Sequence, residues 1–310
     1  MPRIKRVLLL GATGFIGTRI LNLLRRRAHL QVMVLGHRNV NYRALEDVNL
    51  VVDDLTRFDL SWIERFEPDT IIHLARLSGR GRVGRTVAAQ RGRRANRRLI
   101  AWLCERAPNI RVLYVSGTLV YGDQGERTVD EQTPLNPIAY AREYFAAEEP
   151  WVDAQREGLL PITIVRPPWI IGPGSWFYHH YVFPAQKDGA VPLYGSGQNW
   201  MSFLDVTDCA GSILNVAERS DPGKVFNLFT PGQVVRQVEF VSALSDVLRV
   251  GVRQIDRNEF GHRLDRAAWE ALTFSLKAST NNKEVSCGYQ FRVPNWSDMI
   301  TRHLTPALSQ

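Results

Sequence analysis

The chain predicts a doubly wound α/β fold, a Rossmann-type parallel sheet with a smaller substrate-binding lobe drawn mainly from its last third. Three observations carry this. Residues 7–17 read V-L-L-L-G-A-T-G-F-I-G, so an apolar β-forming run ends in glycines at 11, 14 and 17. A helical apolar pattern follows through Ile16, Ile20, Leu23 and Leu24 and stops in a run of arginines. Short apolar runs then alternate with helical patterns along most of the chain, the order that builds a parallel sheet.

A strand, a tight glycine turn and a helix together make an anion cradle. Backbone N–H groups approach a pyrophosphate, the helix N-terminus adds the positive end of its dipole, and the last glycine lets helix and strand pack closely. The spacing G-x-x-G-x-x-G, with Ala12-Thr13 between the first two glycines, resembles the short-chain dehydrogenase/reductase superfamily, and within it the extended, epimerase/dehydratase-like branch. The resemblance implies that Gly11, Thr13, Gly14, Phe15 and Ile16 hold a nicotinamide dinucleotide.

With 310 residues, 45% of them hydrophobic and 23% charged, the chain is long enough for a full core, as one large domain or two joined lobes. The expected division is residues 1–166, with 203–232 returning to them, as the dinucleotide-binding part, and 167–202 with 233–310 as the substrate lobe. The apolar runs are strand-sized and residue 7 already opens the first strand, so no membrane association is expected and the location expected is the cytoplasm. Three widely spaced cysteines and scattered histidines give no metal-ligand spacing. The net charge of +8 comes almost wholly from arginine; it suits acidic or phosphate-bearing ligands and equally describes a soluble surface.

The second strand spans 31–35, and its end bears on the cofactor. An acid there bonds the adenosine ribose of NAD, whereas a basic residue receives the 2′-phosphate of NADP. This chain has Gly36-His37-Arg38-Asn39, so Arg38 favours NADP(H), with NAD the alternative. A third strand over 50–52 leads to Asp54 and Leu55, which the resemblance places against adenine. The fourth, 70–74, carries I-I-H-L-A, whose Leu74 and Ala75 the resemblance places beside the cofactor; His73 reads as a packed strand residue.

Residues 76–98 hold nine arginines among small residues. They read as a lid or solvated loop leading to a helix over 96–106, and nucleic acid is disfavoured because no aromatic rings are interleaved for stacking. Asn96 matches the family's asparagine at the active-site edge, with helix capping as the alternative.

After a fifth strand, 111–115, comes S-G-T-L-V-Y-G, similar to the family's S-S-x-x-V-Y-G. Gly117 takes the place of the hydroxyl that holds the substrate carbonyl, leaving Ser116 and Thr118 on either side. Tyr140 matches the tyrosine of P-x-x-Y-x-x-x-K, but Tyr144 stands where lysine is expected. Residues four apart share a helix face, and the lysine would lower the tyrosine's pKa. Without it about one tyrosine in a thousand is ionised near neutrality. A neutral phenol still donates a proton, which favours carbonyl reduction over alcohol oxidation.

The sixth strand, 160–165, ends in R-P-P-W-I-I-G-P-G, with Pro167 expected at the cofactor and Trp169 in place of the family's sugar-holding asparagine. Further on, Met201 replaces the family's diphosphate-gripping arginine. With Trp176, in an aromatic cluster at 176–181, these two substitutions describe an apolar pocket. A strand over 225–228 and a helix over 238–248 complete the pattern.

The expected activity is therefore NADPH-dependent reduction of a carbonyl on a bulky apolar or aromatic, polyketide-like metabolite. Tyr140, Ser116, Thr118 and Asn96 would stand near that carbonyl, unless a phenol of the substrate itself supplies the proton. The alternatives are a nucleotide-sugar epimerase or dehydratase and a non-catalytic NADP-binding sensor. Monomer and homodimer both remain open.

Overall fold

The computed structural model describes residues 4–36, 48–79, 81–261, 266–282 and 288–308. Arg38, with the rest of residues 37–47, lies outside them.

Strands β1 (Arg6–Leu10), β2 (Gln31–Gly36), β3 (Asn49–Val52), β4 (Thr70–His73) and β5 (Arg111–Val115) precede a short β6 (Thr128–Val129) and β7 (Ile162–Arg166). Next come β8 (Trp169–Ile171), β9 (Ala190–Tyr194), β10 (Trp200–Asp205), β11 (Val225–Asn227), β12 (Val234–Arg236), β13 (Gly251–Ile255) and β14 (Lys277–Ala278). Seven strands of the described residues form one parallel sheet in the order β11-β7-β5-β4-β1-β2-β3. The chain leaves β1 towards β2 and β3, then crosses back to β4 on β1's other side. Strand order reverses between β1 and β4, and a doubly wound sheet opens its ligand crevice at the carboxyl ends of such a pair.

Helices cover both faces because alternate strand residues point in opposite directions. Val7 and Leu9 join the core under α1 (Gly17–Arg25) and α6 (Val206–Arg219), with Ile20, Leu24 and Ile213. Leu8 and Leu10 face the other way, into a core with Leu99 and Leu103 of α3 (Gly81–Arg106) and Trp151 of α4 (Ala139–Arg156). A further core, with Met201, Phe203, Phe240, Phe177 and Tyr181 among its members, gathers the small sheet β12-β10-β8, α7 (Gln237–Leu248) and the helix Trp296–Leu308. Among the described residues no helix is long and apolar enough to cross a membrane.

The strands lie within a residue or two of their expected bounds. The arginine-rich stretch does not behave as expected: α3 begins at Gly81, so most of residues 76–98 is helix rather than loop or lid. Its buried positions are Ala88, Ala89, Gly92, Ala95, Asn96, Leu99, Ile100 and Leu103, a helical stripe made of small residues in its first half. Small side chains let α4 come close; a Cβ on Gly92 would stand 3.0 Å from the Ala147 Cβ. The arginines occupy the remaining faces.

One buried polar contact pins α3 to the sheet. His73 Nε2 lies 3.0 Å from Asn96 Oδ1, and Asn96 Nδ2 donates to the Ala147 carbonyl at 2.6 Å. The imidazole is fully buried, with Tyr114 and Trp151 edge-on to it, and its Nδ1 has no partner among the described residues. Protonation would bury an unpaired N–H. Burial therefore pushes the His73 pKa down to about 4, against the Asn96 hydrogen bond and helped by the Arg76 charge.

Between pH 6.5 and 4 the unfolded chain binds a proton at this histidine and the folded one does not, so the group's contribution is complete above pH 6.5 and lost as pH falls. A shift of that size corresponds to about 3 kcal/mol. Denaturant titrations across this window should show stability falling more steeply with acidification in the wild type than in His73→Gln; equal slopes would refute the assignment.

Candidate active site

The crevice at the β1–β4 switch point consists of two basins that share Gly11, Gly14, Leu74 and Arg76. The glycine turn between them is built by close approach. Gly11 has φ of +95°, and a Cβ on it would lie 2.7 Å from the Ala75 amide nitrogen. A Cβ on Gly17 would lie 2.0 Å from the Gly11 carbonyl oxygen, so α1 can start directly above the end of β1 only without a side chain there. No side chain caps α1 and no acid stands in its first turn, which leaves its positive end to an anion. The turn and its paired basins thus fit an elongated ligand with a central diphosphate.

One basin, about 650 Å³, is bordered by Thr13, Asp54, Leu55 and Ala75. Asp54 Oδ1 accepts from the Thr56 amide at 2.7 Å and hydroxyl at 2.6 Å, while Oδ2 lies 4.0 Å from Arg91 Nη2. This is the expected adenosine end.

The other basin, about 520 Å³, brings together Phe15, Ile16, Ser116, Thr118, Tyr140, Pro167, Trp169 and Trp176. Residues that follow β1, β5 and β7 meet here, with Tyr140 of α4, because parallel strands direct their carboxyl ends to one edge. Tyr140 is 37% exposed to the opening, while Ser116 and Thr118 are buried in its floor. The two tryptophan rings lie 4.2 Å apart between centroids, and Phe274 stands 6.1 Å beyond Trp169. Gly117 is extended, with φ of −175°, and a Cβ on it would meet only the Pro167 carbonyl at 3.8 Å. The backbone does not require glycine; the missing side chain leaves room in the basin.

Two expected site residues are elsewhere. Asn96 is buried beneath the sheet and spent on His73 and Ala147, so it serves the α3–α4 joint and neither basin. Met201 is fully buried in the core around Phe203 and Phe240, so its apolar character says nothing about the ligand.

Two residues that the sequence reading passed over belong to the site. Glu148 shares the α4 face of Tyr140 and Tyr144, and its Oε1 accepts a hydrogen bond from the Ser116 hydroxyl. Burial raises its pKa, outweighing that bond and the charges of Arg76 and Arg166. Arg76, directly after the I-I-H-L-A segment, is exposed and borders both basins where they join. The repeat of four in Tyr140, Tyr144 and Glu148 was a legible signal; nothing local marked one arginine among nine.

Residues 7–228 match the model of the NAD dependent epimerase/dehydratase family. Human dTDP-D-glucose 4,6-dehydratase is 30% identical over 124 residues, 38% of this chain and 35% of that protein, so the match spans about a third of that relative. The ADP-L-glycero-D-manno-heptose-6-epimerase of Alkalilimnicola ehrlichii is 24% identical over 243 residues, 72% of this chain and 75% of that one. Among solved structures, dTDP-glucose 4,6-dehydratase from Bacillus anthracis str. Ames, in complex with NAD, has a TM-score of 0.79 at 18% identity, covering 99% of this chain and 97% of its own. UDP-glucuronic acid 4-epimerase from Bacillus cereus, in complex with UDP-glucuronic acid and NAD, has a TM-score of 0.75 at 19% identity, covering 96% and 97%. The structural likeness shows a shared fold.

These relatives are named for nucleotide sugars, which overturns the expectation of a polyketide-like ketoreductase. Part of that expectation rested on Met201, which does not face the basin. With its matched span covering well over half of the sequence, the chain belongs to the NAD-dependent epimerase/dehydratase family.

Proposed function

We propose that this chain is a nicotinamide-dinucleotide-dependent enzyme that modifies the sugar of a nucleotide-linked sugar, by epimerisation or dehydration. The observation that carries the reading is the joining of a dinucleotide turn to a basin with Tyr140 at its opening, Ser116 and Thr118 at its floor and aromatic rings on its wall, in a chain of this family. A bound dinucleotide supplies reversible hydride exchange with a sugar carbon. Gly11, Thr13, Gly14, Phe15 and Ile16 would hold its diphosphate and the adjoining ribose, with Asp54, Leu55, Leu74, Ala75 and Pro167 along its length.

The chain's own groups handle the oxygen and the proton. Tyr140 presents its phenol at the opening, where it can exchange a proton with a sugar hydroxyl. Ser116 already donates to Glu148, so its lone pairs are what it offers a ligand hydroxyl. Thr118 supplies a second hydroxyl on the same floor. Trp169 and Trp176 offer apolar faces to the C–H side of a pyranose ring.

Selection between the two dinucleotides rests on Arg38, with no carboxylate over residues 36–39 and hence a preference for the 2′-phosphate form. NADP(H) should bind about tenfold more tightly than NAD(H), and Arg38→Asp should reverse the order. Tighter NAD(H) binding by the wild type would contradict this. Gly17→Ala should weaken either dinucleotide by roughly tenfold or more while circular dichroism stays native, since the turn must open to admit the methyl. Undiminished affinity would place the ligand elsewhere.

The reading as a whole is tested with UDP-, dTDP- and ADP-linked sugars, following loss of water by mass spectrometry and inversion by proton NMR. Turnover of one class supports it. Dinucleotide binding without turnover or nucleotide-sugar binding across the panel would instead favour a sensor, a role with which Gly117 and Tyr144 also agree.

A further inference from the structure

The proton step at Tyr140 calls for a nearby positive charge, and α4 does not carry one at the expected turn. Position 144 holds a tyrosine whose ring is edge-on to Tyr140 at 5.3 Å between centroids. Over the Tyr144 ring, at 4.8 Å from its centroid, lies the guanidinium of Arg76. Among the described residues bordering the Tyr140 basin, Arg76 is the one cation, and it borders the adenosine basin as well.

We infer that Arg76 is a positioning residue that supplies, from beyond the end of β4, the fixed positive charge that position 144 lacks, acting on Tyr140 through Tyr144. A guanidinium keeps its charge at any working pH and stacks on aromatic faces, whereas an ammonium is a compact point charge on a flexible stem. Exchanging lysine for tyrosine on α4 therefore leaves room for a cation delivered from another element, with the new ring as its seat.

The surroundings agree. Desolvation opposes the Arg76 charge, yet Tyr114, Tyr144, Glu148 and Tyr140 together hold its pKa above the ordinary value. Burial raises the Tyr144 pKa, so Tyr144 stays a neutral phenol beneath the guanidinium rather than the base. Tyr140, at the opening, is left as the group that gives up a proton.

The role in turnover rests on the proposed function, but the charge effect is present in the ligand-free protein and is measured there first. Alkaline absorbance titration of tyrosinate, wild type minus Tyr140→Phe, isolates Tyr140. The same subtraction in an Arg76→Gln background should raise its midpoint by about one unit, Arg76→Lys should leave it within about half a unit, and Arg76→Gln with Tyr144→Lys should restore it. An unmoved midpoint in Arg76→Gln overturns the inference. Arg76→Met, which keeps an apolar stem over Tyr144, replaces Arg76→Gln if the latter does not fold. Turnover of a nucleotide sugar, where found, should fall about tenfold or more in Arg76→Gln and recover with Tyr144→Lys. A midpoint that moves in a protein turning over no nucleotide sugar would sink the proposed function and leave the charge assignment standing.

Discussion

The approach of α1 to the end of β1 is the constraint on which the site depends. Gly17 sits against the Gly11 carbonyl, and Gly11 sits against the backbone at Ala75, so three chain segments meet with no side chain between them. That contact fixes the helix N-terminus above the β1–β4 crevice and divides the crevice into two basins with a shared floor. Every other candidate group is placed relative to this point by the parallel sheet, whose strands end at the same edge.

A second contact sets the wall opposite the turn. α3 and α4 lie close because their facing residues are small, and His73, Asn96 and the Ala147 carbonyl lock both helices to β4. α4 then projects Tyr140, Tyr144 and Glu148 from one face towards the basin and the residues beneath it. The serine at the end of β5 closes this face through its bond to Glu148. A family usually recognised by a tyrosine and a lysine on one helix is here represented by an aromatic and acidic face that a neighbouring arginine completes.

What the sequence disclosed divides along physical lines. The glycine turn, the strands and Tyr140 were legible because each is a local pattern with a local cause: apolar runs, backbone room and helical spacing. Asn96 matched its motif position and still lies under the sheet, since a motif cannot show that a buried histidine from β4 will claim its amide. Met201 departs from its motif and still packs inward, because β10 feeds the core around Phe203 and Phe240 at that residue. Residues 76–98 read as loop because arginine and glycine mask a stripe of small residues that packs against α4, distant in sequence, as Gly92 does against Ala147. Arg76 could not be singled out, as its meaning comes from a ring on a distant helix.

Every role proposed for the site requires one dinucleotide to span both basins across the glycine turn. The most direct test is a crystal structure of the protein grown with its preferred nicotinamide dinucleotide. Adenine beside Asp54 and Leu55, the diphosphate over Gly11–Gly14 at the start of α1, and the nicotinamide ring in the basin with Tyr140 is the predicted result. A dinucleotide bound in the reverse sense, or outside the crevice, would contradict it.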